Sequence, residues 1–405
     1  MSPLVVQKFG GTSVADPDRM RAVADHIART HRHGNEVVVV VSAMGKETDQ
    51  LIHLANEVSG TQPGREMDML ITAGERKAMA LLVMALHDLD VDAVSFTGSQ
   101  AGIITDTEHT RAKVLEVRPQ RLREALIKGQ IPVVGGAQGV STTNDVTFLG
   151  RDASDITAVA LAQVLGASHC ELYTDVSGVF TADPRLVPRA RRIEKLSFEE
   201  MLEMCAVGCP KPAMRSVKFA RNHKVRLHVR SSFTWEPGTW LEEEDVAMEQ
   251  PIISGVVADD SEAKVTVTGV PDKPGVAARL FRALADHRVN VDMIVQNVSI
   301  EGHTDISFTV PRPDVETSLR VAQELQSEIG ATGVQADKGI ARVSLIGAGM
   351  KTHPGVAATM FETLAHSGIN IDMISTSPIR ISCVVRDAQA EEAVRTLHAA
   401  FELEG

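Results

Sequence analysis

The chain of 405 residues is too long for one ordinary hydrophobic core and predicts two or three domains. Its 43% hydrophobic and 23% charged residues exclude extended disorder, and a net charge of −12 with only 3% aromatic residues argues against a nucleic-acid-binding protein. No charged region precedes an apolar stretch at the N-terminus, and the apolar run at residues 37–41 is too short to cross a bilayer. We therefore expect a cytoplasmic protein whose four cysteines are buried, reduced thiols, with no metal site and no membrane partner.

Residues 1–230 alternate short apolar runs with segments of helical periodicity, which is typical of a mostly parallel sheet with helices on both faces. Strands are predicted at residues 4–7, 36–42, 93–96, 131–135 and 171–174, and helices at residues 18–31, 66–85 and 154–165. The turn-rich FTWEPG at residues 233–238, followed by an acidic run at residues 242–245, predicts a domain boundary.

A glycine loop, KFGGTS, follows the first predicted strand. Lys8 supplies positive charge, Gly10 and Gly11 let the backbone approach a phosphate closely, and Thr12 and Ser13 supply hydroxyl groups. The lysine precedes the glycines, so this is not a Walker A sequence. The residues alone are consistent with a phosphate-binding loop and with a tight strand-to-helix turn.

Four further segments carry candidate site residues. SAMGKETD at residues 42–49 follows the strongest strand, where ligands of open α/β sheets bind, and Glu75 lies in an apolar helix, either at the surface or as the buried partner of an amine. GRDASD at residues 150–155 combines a helix-capping pattern with Arg151, which can bind a carboxylate or a phosphate with two hydrogen bonds. YTDVSGVFTADPR at residues 173–185 is either an ordinary polar loop or a ligand-binding one.

The C-terminal part contains an internal repeat with an offset of 80 residues. KPGVAARLFRALADHRVNVDMI at residues 273–294 and HPGVAATMFETLAHSGINIDMI at residues 353–374 share 12 of 22 positions. Each copy follows a predicted strand, contains an amphipathic helix and continues into a strand that begins at Asn-Val/Ile-Asp, which predicts two βαββαβ modules. The Pro-Gly start of each helix exposes backbone N–H groups, so the copies are either packing modules or paired sensors of a small carboxylate ligand.

Taken together, these segments resemble the aspartate kinases of the amino acid kinase family. KFGGTSV, VVVVSAMG, TAGER, SFTGSQAGIITD, YTDVSGVFTADPR and SFEEMLE match in the family's order, and the repeat resembles the tandem ACT domains of the same enzymes, closest to the actinobacterial type. The resemblance implies an α/β amino acid kinase fold, a mostly parallel sheet sandwiched by helices, followed by two ferredoxin-like βαββαβ ACT domains. The implied domains are residues 1–233 (catalytic), 234–262 (linker and first ACT strand region), 263–340 (first ACT domain) and 341–405 (second ACT domain).

The resemblance also implies the reaction of ATP with L-aspartate to give 4-phospho-L-aspartate and ADP, the first step toward lysine, threonine and methionine, with Mg²⁺ bridging the phosphates. A carboxylate is already ionised at neutral pH, so catalysis needs positioning and charge neutralisation rather than a strong base. Lys8 and Asp155 are the implied catalytic residues, and Glu75 would meet the α-amine and Arg151 the α-carboxylate of aspartate. The implied substrate-binding residues are Ser42, Thr48, Glu75, Arg151 and Ser154, and the implied nucleotide-binding residues are Lys8, Gly10, Gly11, Thr12, Ser13, Thr174, Asp175, Phe180, Asp183, Arg185 and Lys211.

Three departures from the family pattern lie in loops expected on the ATP side. The family's Gly-Arg-Gly-Gly-Ser-Asp has Asp152 and Ala153 at its centre here, and Ser177 replaces a loop aspartate. The nucleotide-contacting lysine is displaced by one place to Lys211, which stands between two prolines that forbid ordinary helix continuation. Two alternatives therefore stay open: a diverged carboxylate kinase with a related amino-acid substrate, and a non-catalytic subunit that senses amino acids through its ACT domains.

By resemblance, lysine and threonine would bind where the ACT repeats pair. The exposed sheet edges of the repeats predict a homodimer or a larger assembly. Met248 stands where actinobacterial relatives start a short regulatory subunit internally. The implied effector-binding residues are Asp272, Pro274, Gly275, Ala277, Asn290, Asp292, Gln296, Asn297, Asn370 and Asp372.

Overall fold

A computed structural model of the chain describes residues 2–243, 253–296 and 302–405. The chain divides into two compact units. The first unit comprises residues 1–179, 192–205 and 210–246, and the second comprises residues 180–191, 206–209 and 247–405.

The first unit is an α/β layer structure built on twelve described strands. They are β1 (Leu4–Phe9), β2 (Glu36–Val41), β3 (Ala93–Phe96), β4 (Ile103–Thr105), β5 (Val114–Val117), β6 (Ile131–Gly135), β7 (Gln138–Ser141), β8 (Val146–Phe148), β9 (His169–Thr174), β10 (Lys195–Ser197), β11 (Leu227–Ser231) and β12 (Thr239–Glu242). Eight of them form one sheet in the order β10-β12-β11-β9-β1-β2-β6-β3, in which only the β11–β12 pair is antiparallel among the described pairs. The others form a small sheet in the order β5-β4-β7-β8.

Seven helices accompany these strands. They are α1 (Pro17–Arg32), α2 (Glu47–Val58), α3 (Gly64–His87), α4 (Gln120–Ile127), α5 (Ser154–Leu165), α6 (Phe198–Ala206) and α7 (Met214–His223). The predicted strands and helices are confirmed, with ends that differ by at most two residues from those expected. The mostly parallel sheet is confirmed as well.

The core of the first unit explains why its strands could be predicted from continuous apolar runs. The five valines of β2 are all buried, as is the face of α1 that carries Val23 and Ile27. A strand buried on both faces reads as a continuous apolar run rather than an alternating one. Helix α1 begins at Pro17, a residue type that is common at the first helical position. The side chain of the preceding Asp16 accepts a hydrogen bond from the N–H of Arg19, which satisfies one unpaired donor of the first turn.

The second unit contains two four-stranded antiparallel sheets. Its strands are β13 (Gly255–Asp259), β14 (Glu262–Pro271), β15 (Ile294–Gln296), β16 (His303–Pro311), β17 (Gly333–Asp337), β18 (Ile340–Ile346), β19 (Met373–Ser377) and β20 (Arg380–Arg386), and its helices are α8 (Val276–Asp286), α9 (Val315–Ile329), α10 (Val356–His366) and α11 (Ala390–Ala400). The sheet orders are β15-β16-β14-β17 and β13-β18-β20-β19.

The two repeats close their sheets differently. The first module follows βαββαβ order along the chain from β14 to β17. In the second module, α11 is followed by no further described strand, and the fourth position of the sheet is taken by β13, which pairs antiparallel with β18. The strand that precedes the first module in sequence is therefore part of the second module's sheet, and the first module is inserted between β13 and β18.

Two sequence expectations about the second unit need correction. The strands expected to begin at Asn290 and Asn370 begin instead at Ile294 and Met373. At Asp292 and Asp372 the backbone N–H already donates across to Thr309 and Val384, so regular pairing starts only after these contacts.

The remaining expectations concern the cysteines, the membrane and residues that the structure leaves undescribed. All four cysteines are free thiols, but Cys205 and Cys209 are only half-buried, which corrects the expectation that all are buried. None of the described helices has the length and apolar character required of a bilayer span. Met248 and Asn297 lie outside the described residues, as does part of the expected acidic boundary.

Candidate active site

A cleft of about 340 Å³ opens at the carboxyl ends of β1, β2 and β9, the edge where ligands bind in open α/β sheets. These strands are adjacent and parallel, so the residues that follow them meet at one edge. Twelve of the residues implied as catalytic, substrate-binding or nucleotide-binding line the cleft: Lys8, Gly10, Gly11, Thr12, Ser42, Thr48, Glu75, Arg151, Ser154, Thr174, Asp175 and Lys211. Asp155 is connected to the cleft through its ion pair with Lys8.

The floor of the cleft holds a buried ion pair. Lys8, near the end of β1, places its Nζ 2.7 Å from Oδ1 of Asp155, and less than a tenth of either side chain is exposed. Asp155 lies in the first turn of α5, where the positive end of the helix dipole stabilises a carboxylate. The lysine is therefore held by a fixed carboxylate with its ammonium group at the cleft.

The glycine loop after β1 packs closely against the loop after β2. The N–H of Gly45 donates to the carbonyl of Gly11 at 2.9 Å. A Cβ atom at Gly11 would lie 2.8 Å from the carbonyl oxygen of Ala43, too close for any side chain. The glycine is required here because two backbone loops touch, and this contact joins the segments that carry Lys8 and Ser42.

Glu75 is a buried residue of α3 and is only 3% exposed, so it does not occupy the surface position that the sequence left possible. Its Oε2 atom has no hydrogen-bond partner in the described protein. Burial raises the pKa of Glu75 to about 7. Hydrogen bonds from backbone N–H groups, including that of Ala43, act in the opposite direction because they favour the ionised form. A carboxylate that lines a cleft, is desolvated and has only part of its hydrogen-bonding capacity satisfied is suited to receive a cationic ligand group.

Further polar groups of the cleft come from the end of β2, the start of α2, the loop before α5 and the start of α5. The hydroxyl of Ser42 donates to that of Ser154 at 3.0 Å, which joins the end of β2 to the first turn of α5. Arg151 forms an exposed ion pair with Asp49 at 2.8 Å. Thr48, one residue before Asp49, also lines the cleft.

The departure at Asp152 produces a specific local structure. Asp152 adopts a left-handed backbone conformation with φ of +57°, which explains why the family has glycine here. Aspartate tolerates this region better than most residues. Its Oδ1 lies 3.3 Å from Nζ of Lys211, and both side chains line the rim of the cleft. The displaced lysine is thus still at the cleft, and the new carboxylate is paired with it.

Four residues implied for the nucleotide are not among those that line the cleft. Ser13 is 2% exposed and its hydroxyl accepts a hydrogen bond from the hydroxyl of Ser232 at 2.7 Å, so its role toward a phosphate stays a prediction. Phe180, Asp183 and Arg185 belong to the second unit. Asp183 is paired with Arg185, whose guanidinium hydrogen bonds lower the pKa of the carboxyl group.

Tyr173 is a cleft residue that the sequence motifs did not indicate in its own right. Tyr173 lines the cleft and stacks on Phe9 with a centroid distance of 4.7 Å. Its hydroxyl donates to Glu171 at 3.0 Å, and Glu171 also accepts from Arg230 at 2.8 Å. Hydrogen bonds from His169, His228 and Gln7, together with the charge of Arg230, hold the pKa of Glu171 well below its usual range despite burial. Alternating polar residues on a central strand, at Glu171 and Tyr173, were the available signal for this network.

The residues implied for an effector divide into exposed and engaged groups. Asp272, Pro274, Gly275, Asn290, Gln296 and Asn370 are exposed, and Ala277 is half-buried. Asp292 pairs with Arg342 of the second module, and Asp372 accepts from Lys264 of the first module at 3.1 Å. These aspartates occupy equivalent positions of the repeat, so each module contributes a cation to the other's carboxylate.

Comparison with known proteins places the chain in a family. A model described as the amino acid kinase family matches residues 3–231, and one described as the ACT domain matches residues 265–325 and 343–401. The aspartokinase of Mycolicibacterium smegmatis is 55% identical over 407 residues, which cover 99% of this chain and 97% of that one.

Two crystal structures of E. coli aspartokinase III are similar to the whole chain. The one in complex with aspartate and ADP, in the R-state, has a TM-score of 0.81 and 25% identity, and it covers 98% of this chain and 99% of that one. The one in complex with lysine and aspartate, in the T-state, has a TM-score of 0.77, 26% identity and the same coverage. Because a family model spans more than half of the sequence and a relative matches nearly all of it, the chain belongs to the amino acid kinase family and, within it, to the aspartokinases, a group of phosphotransferases.

Proposed function

We propose that the protein transfers the γ-phosphoryl group of ATP to the side-chain carboxylate of L-aspartate, which gives 4-phospho-L-aspartate and ADP. The observation that carries the proposal is the buried Glu75 carboxylate, whose Oε2 has no partner, in one cleft with Arg151 and the Lys8–Asp155 pair. An amino acid offers an ammonium group to Glu75 and an α-carboxylate to Arg151. Ser42, Thr48 and Ser154 contribute hydroxyl groups to the same cleft.

The chemistry needs no strong base, because the attacking carboxylate of aspartate is ionised at neutral pH. Lys8 neutralises negative charge on the transferring phosphoryl group, and Asp155 holds its ammonium group in place. The backbone of Gly10 and Gly11, with Thr12, cradles phosphate oxygens. Thr174, Asp175 and Lys211 contribute to the nucleotide side, together with Phe180, Asp183 and Arg185 of the following segment.

The residues of the cleft fit a magnesium ion that arrives with the nucleotide. Among the described residues no group of three or more histidine, cysteine or acidic side chains is arranged to hold a metal by itself. Magnesium characteristically takes one or two protein carboxylates and completes its shell with phosphate oxygens and water. Asp175 is an exposed carboxylate of the lining on the proposed nucleotide side and would hold the ion, whereas Asp152 is already paired with Lys211. The ion would supply further neutralisation of phosphate charge.

We further propose the finer features of this activity. The catalytic domain comprises residues 1–233, the linker region 234–262 and the two ACT domains 263–340 and 341–405, and the reaction opens the route to lysine, threonine and methionine in the cytoplasm. Lysine and threonine bind at the paired ACT modules of a homo-oligomer and inhibit the reaction. In support, α8 and α10 both begin after a glycine with positive φ and without a side-chain cap, which leaves first-turn N–H groups available to a carboxylate ligand.

The test is a trapping assay on the full chain. Purified protein is incubated with MgATP, L-aspartate and hydroxylamine, and aspartyl hydroxamate is measured against a control without aspartate. Hydroxamate formation establishes both the reaction class and the acceptor. Absence of product from folded protein, with an active aspartokinase run in parallel, overturns the proposal, and repeating the assay with other amino acids then separates a different carboxylate kinase from a protein that only binds amino acids.

A further inference from the structure

The segment at residues 180–191, here called the nucleotide segment, belongs to the second unit although the chain reaches it directly from the cleft. Asp175 lines the cleft, and the second unit begins at Phe180. The segment includes Phe180, Asp183 and Arg185, the residues that the proposed function assigns to ATP. Its placement therefore depends on what holds it inside the second unit.

The start of the nucleotide segment is held by one buried hydroxyl group, in addition to backbone hydrogen bonds that join Thr181 to Arg191 and Val256. Thr181 is 2% exposed, and its Oγ1 donates to the carbonyl of Leu403 at 3.1 Å and accepts from the N–H of Arg191 at 3.0 Å. Nε2 of His398 lies 2.9 Å from the same oxygen and is the donor in this arrangement. His398 is fully buried in α11, and Leu403 follows that helix. Three parts of the chain thus meet at one buried atom.

Residues 186–190 of the nucleotide segment are attached to α11 and to the last residues of the chain as well. Ala190 and Glu404 form an antiparallel β-bridge, and Glu404 pairs with the Arg189 guanidinium at 2.6 Å. The N–H of Gly405 donates to the carbonyl of Arg189 at 3.3 Å. The Arg395 side chain, from α11, donates to the carbonyl of Leu186 at 2.9 Å.

Apolar contacts complete this attachment. Ala182 and Val187 of the nucleotide segment belong to the same hydrophobic core as Leu397 and Leu403. That core also contains residues of β18, α10 and β20, so it is the core of the second ACT module. The nucleotide segment is therefore integrated in the packing of this module rather than laid over its surface.

We propose that the C-terminal segment, residues 398–405, positions the nucleotide segment, so that ATP affinity depends on the second ACT module through Thr181, His398 and Leu403. None of these three residues touches substrate; they act through Phe180, Asp183 and Arg185. This inference rests on the nucleotide role given to those residues above. The contacts between residues 398–405 and the nucleotide segment are here called the clamp. The affinity for aspartate, whose proposed contacts all lie in the first unit, does not depend on the clamp.

The decisive variant is Thr181→Val, which keeps the shape of the side chain and removes the shared hydroxyl. Loss of a buried hydrogen-bond centre leaves the Leu403 carbonyl and the Arg191 N–H unpaired, which loosens the segment. We expect the Kd for MgADP, measured by calorimetry, and the KM for MgATP to rise about tenfold, with the KM for aspartate unchanged within about twofold. Thr181→Ser retains the hydroxyl and should restore both values.

Thr309→Val is the matched control. Thr309 in β16 is fully buried and accepts a hydrogen bond from the N–H of Met293 at 3.1 Å, but it belongs to the first ACT module. The control should leave MgADP affinity unchanged. If Thr181→Val does not fold, Glu404→Gln, at an exposed ion pair, still tests the clamp, and it should weaken MgADP binding about twofold to threefold without affecting aspartate.

Three outcomes overturn the inference: unchanged MgADP affinity in Thr181→Val, an equal rise in the KM values of both substrates, or the same loss in Thr309→Val. Failure of the proposed function is separate, because calorimetry needs no turnover. A wild-type protein that binds MgADP and forms no aspartyl hydroxamate would refute the reaction and leave the clamp testable. A wild-type protein that binds no MgADP would refute the nucleotide role on which the clamp rests.

Discussion

The floor and the rim of the cleft use charged groups in opposite ways. On the floor, Lys8, Asp155 and Glu75 are buried, and their charges are held by β1, α5 and α3. At the rim, the pairs Arg151–Asp49 and Asp152–Lys211 have side chains that are between 38% and 67% exposed. Buried charges interact strongly and are costly to leave unpaired, whereas exposed pairs contribute little because water and salt screen them.

This difference teaches where the chain tolerates departures from its family. The substitution of glycine by Asp152 falls at the rim, where a nearby lysine and solvent moderate the added charge. The floor residues match the family pattern without change. Substitutions on the floor should therefore alter catalysis and stability far more than substitutions at the rim.

The largest effect is expected for Lys8→Met. Removal of the ammonium group takes away charge neutralisation at the transferring phosphoryl group, and kcat in the hydroxamate assay should fall about 10³-fold. The variant also leaves the Asp155 carboxylate buried without its cation, which should lower the free energy of unfolding by about 3–5 kcal/mol.

Lys195→Met is the control for Lys8. Lys195 lies on β10 of the same sheet but its side chain is 62% exposed, and its substitution should change neither kcat nor thermal stability measurably. Equal kcat values in Lys8→Met and the wild type would remove Lys8 from the mechanism and contradict the special status of the floor.

An intermediate effect is expected for Glu75→Gln, which retains the shape of the side chain and removes its charge. The KM for aspartate should rise about 10- to 100-fold, because a charge-assisted contact to the α-ammonium group is lost, while the KM for MgATP stays the same. Steady-state kinetics in both substrates tests this. A parallel rise in both KM values would contradict the amine-binding role.

The same variant gives a test by pH. The folded-state pKa of Glu75 is about 7 against an ordinary value of 4.5, so between these values the folded protein binds more protons than the unfolded chain. The free energy of unfolding should consequently fall as pH rises from about 4.5 to 7, by up to about 3 kcal/mol from this group. Denaturant titrations at pH 5 and pH 8 should show this loss in the wild type and a smaller one in Glu75→Gln.

The smallest effect is expected at the rim, for Asp152→Asn. Asparagine tolerates the left-handed conformation and removes only the charge, so stability should stay within about 0.5 kcal/mol and the KM for MgATP should fall by no more than about fivefold. Asp152→Gly separates the backbone contribution from the charge. A rise of tenfold or more in the KM for MgATP in both variants would instead identify the carboxylate as a magnesium or phosphate-positioning group.

Much of the site could be predicted from sequence because its residues come directly after apolar strands. Lys8, Ser42 and Thr174 lie at or next to the ends of β1, β2 and β9. The alternation of strands and helices, together with the family motifs, predicted that these residues meet in one cleft. The burial of the Ser13 hydroxyl against Ser232 was not predicted, because a local motif does not show which hydroxyl of a turn is buried. The burial of Glu75 was also undetermined, since an apolar helix presents several faces and only the packing of α3 selects one.

The sequence by itself determined five strands and three helices of the first unit in their order, the two repeated modules, the parallel sheet and the residue types of the cleft, because these follow from local periodicity and from motifs that are contiguous in the chain. Only the tertiary structure decided that β13 completes the second ACT sheet, that Asp152 pairs with Lys211, and that residues 180–191 join the core of the second unit. Each of these depends on contacts between residues far apart in sequence. Such contacts are selected by hydrogen-bond satisfaction and packing, for which a local pattern contains no information.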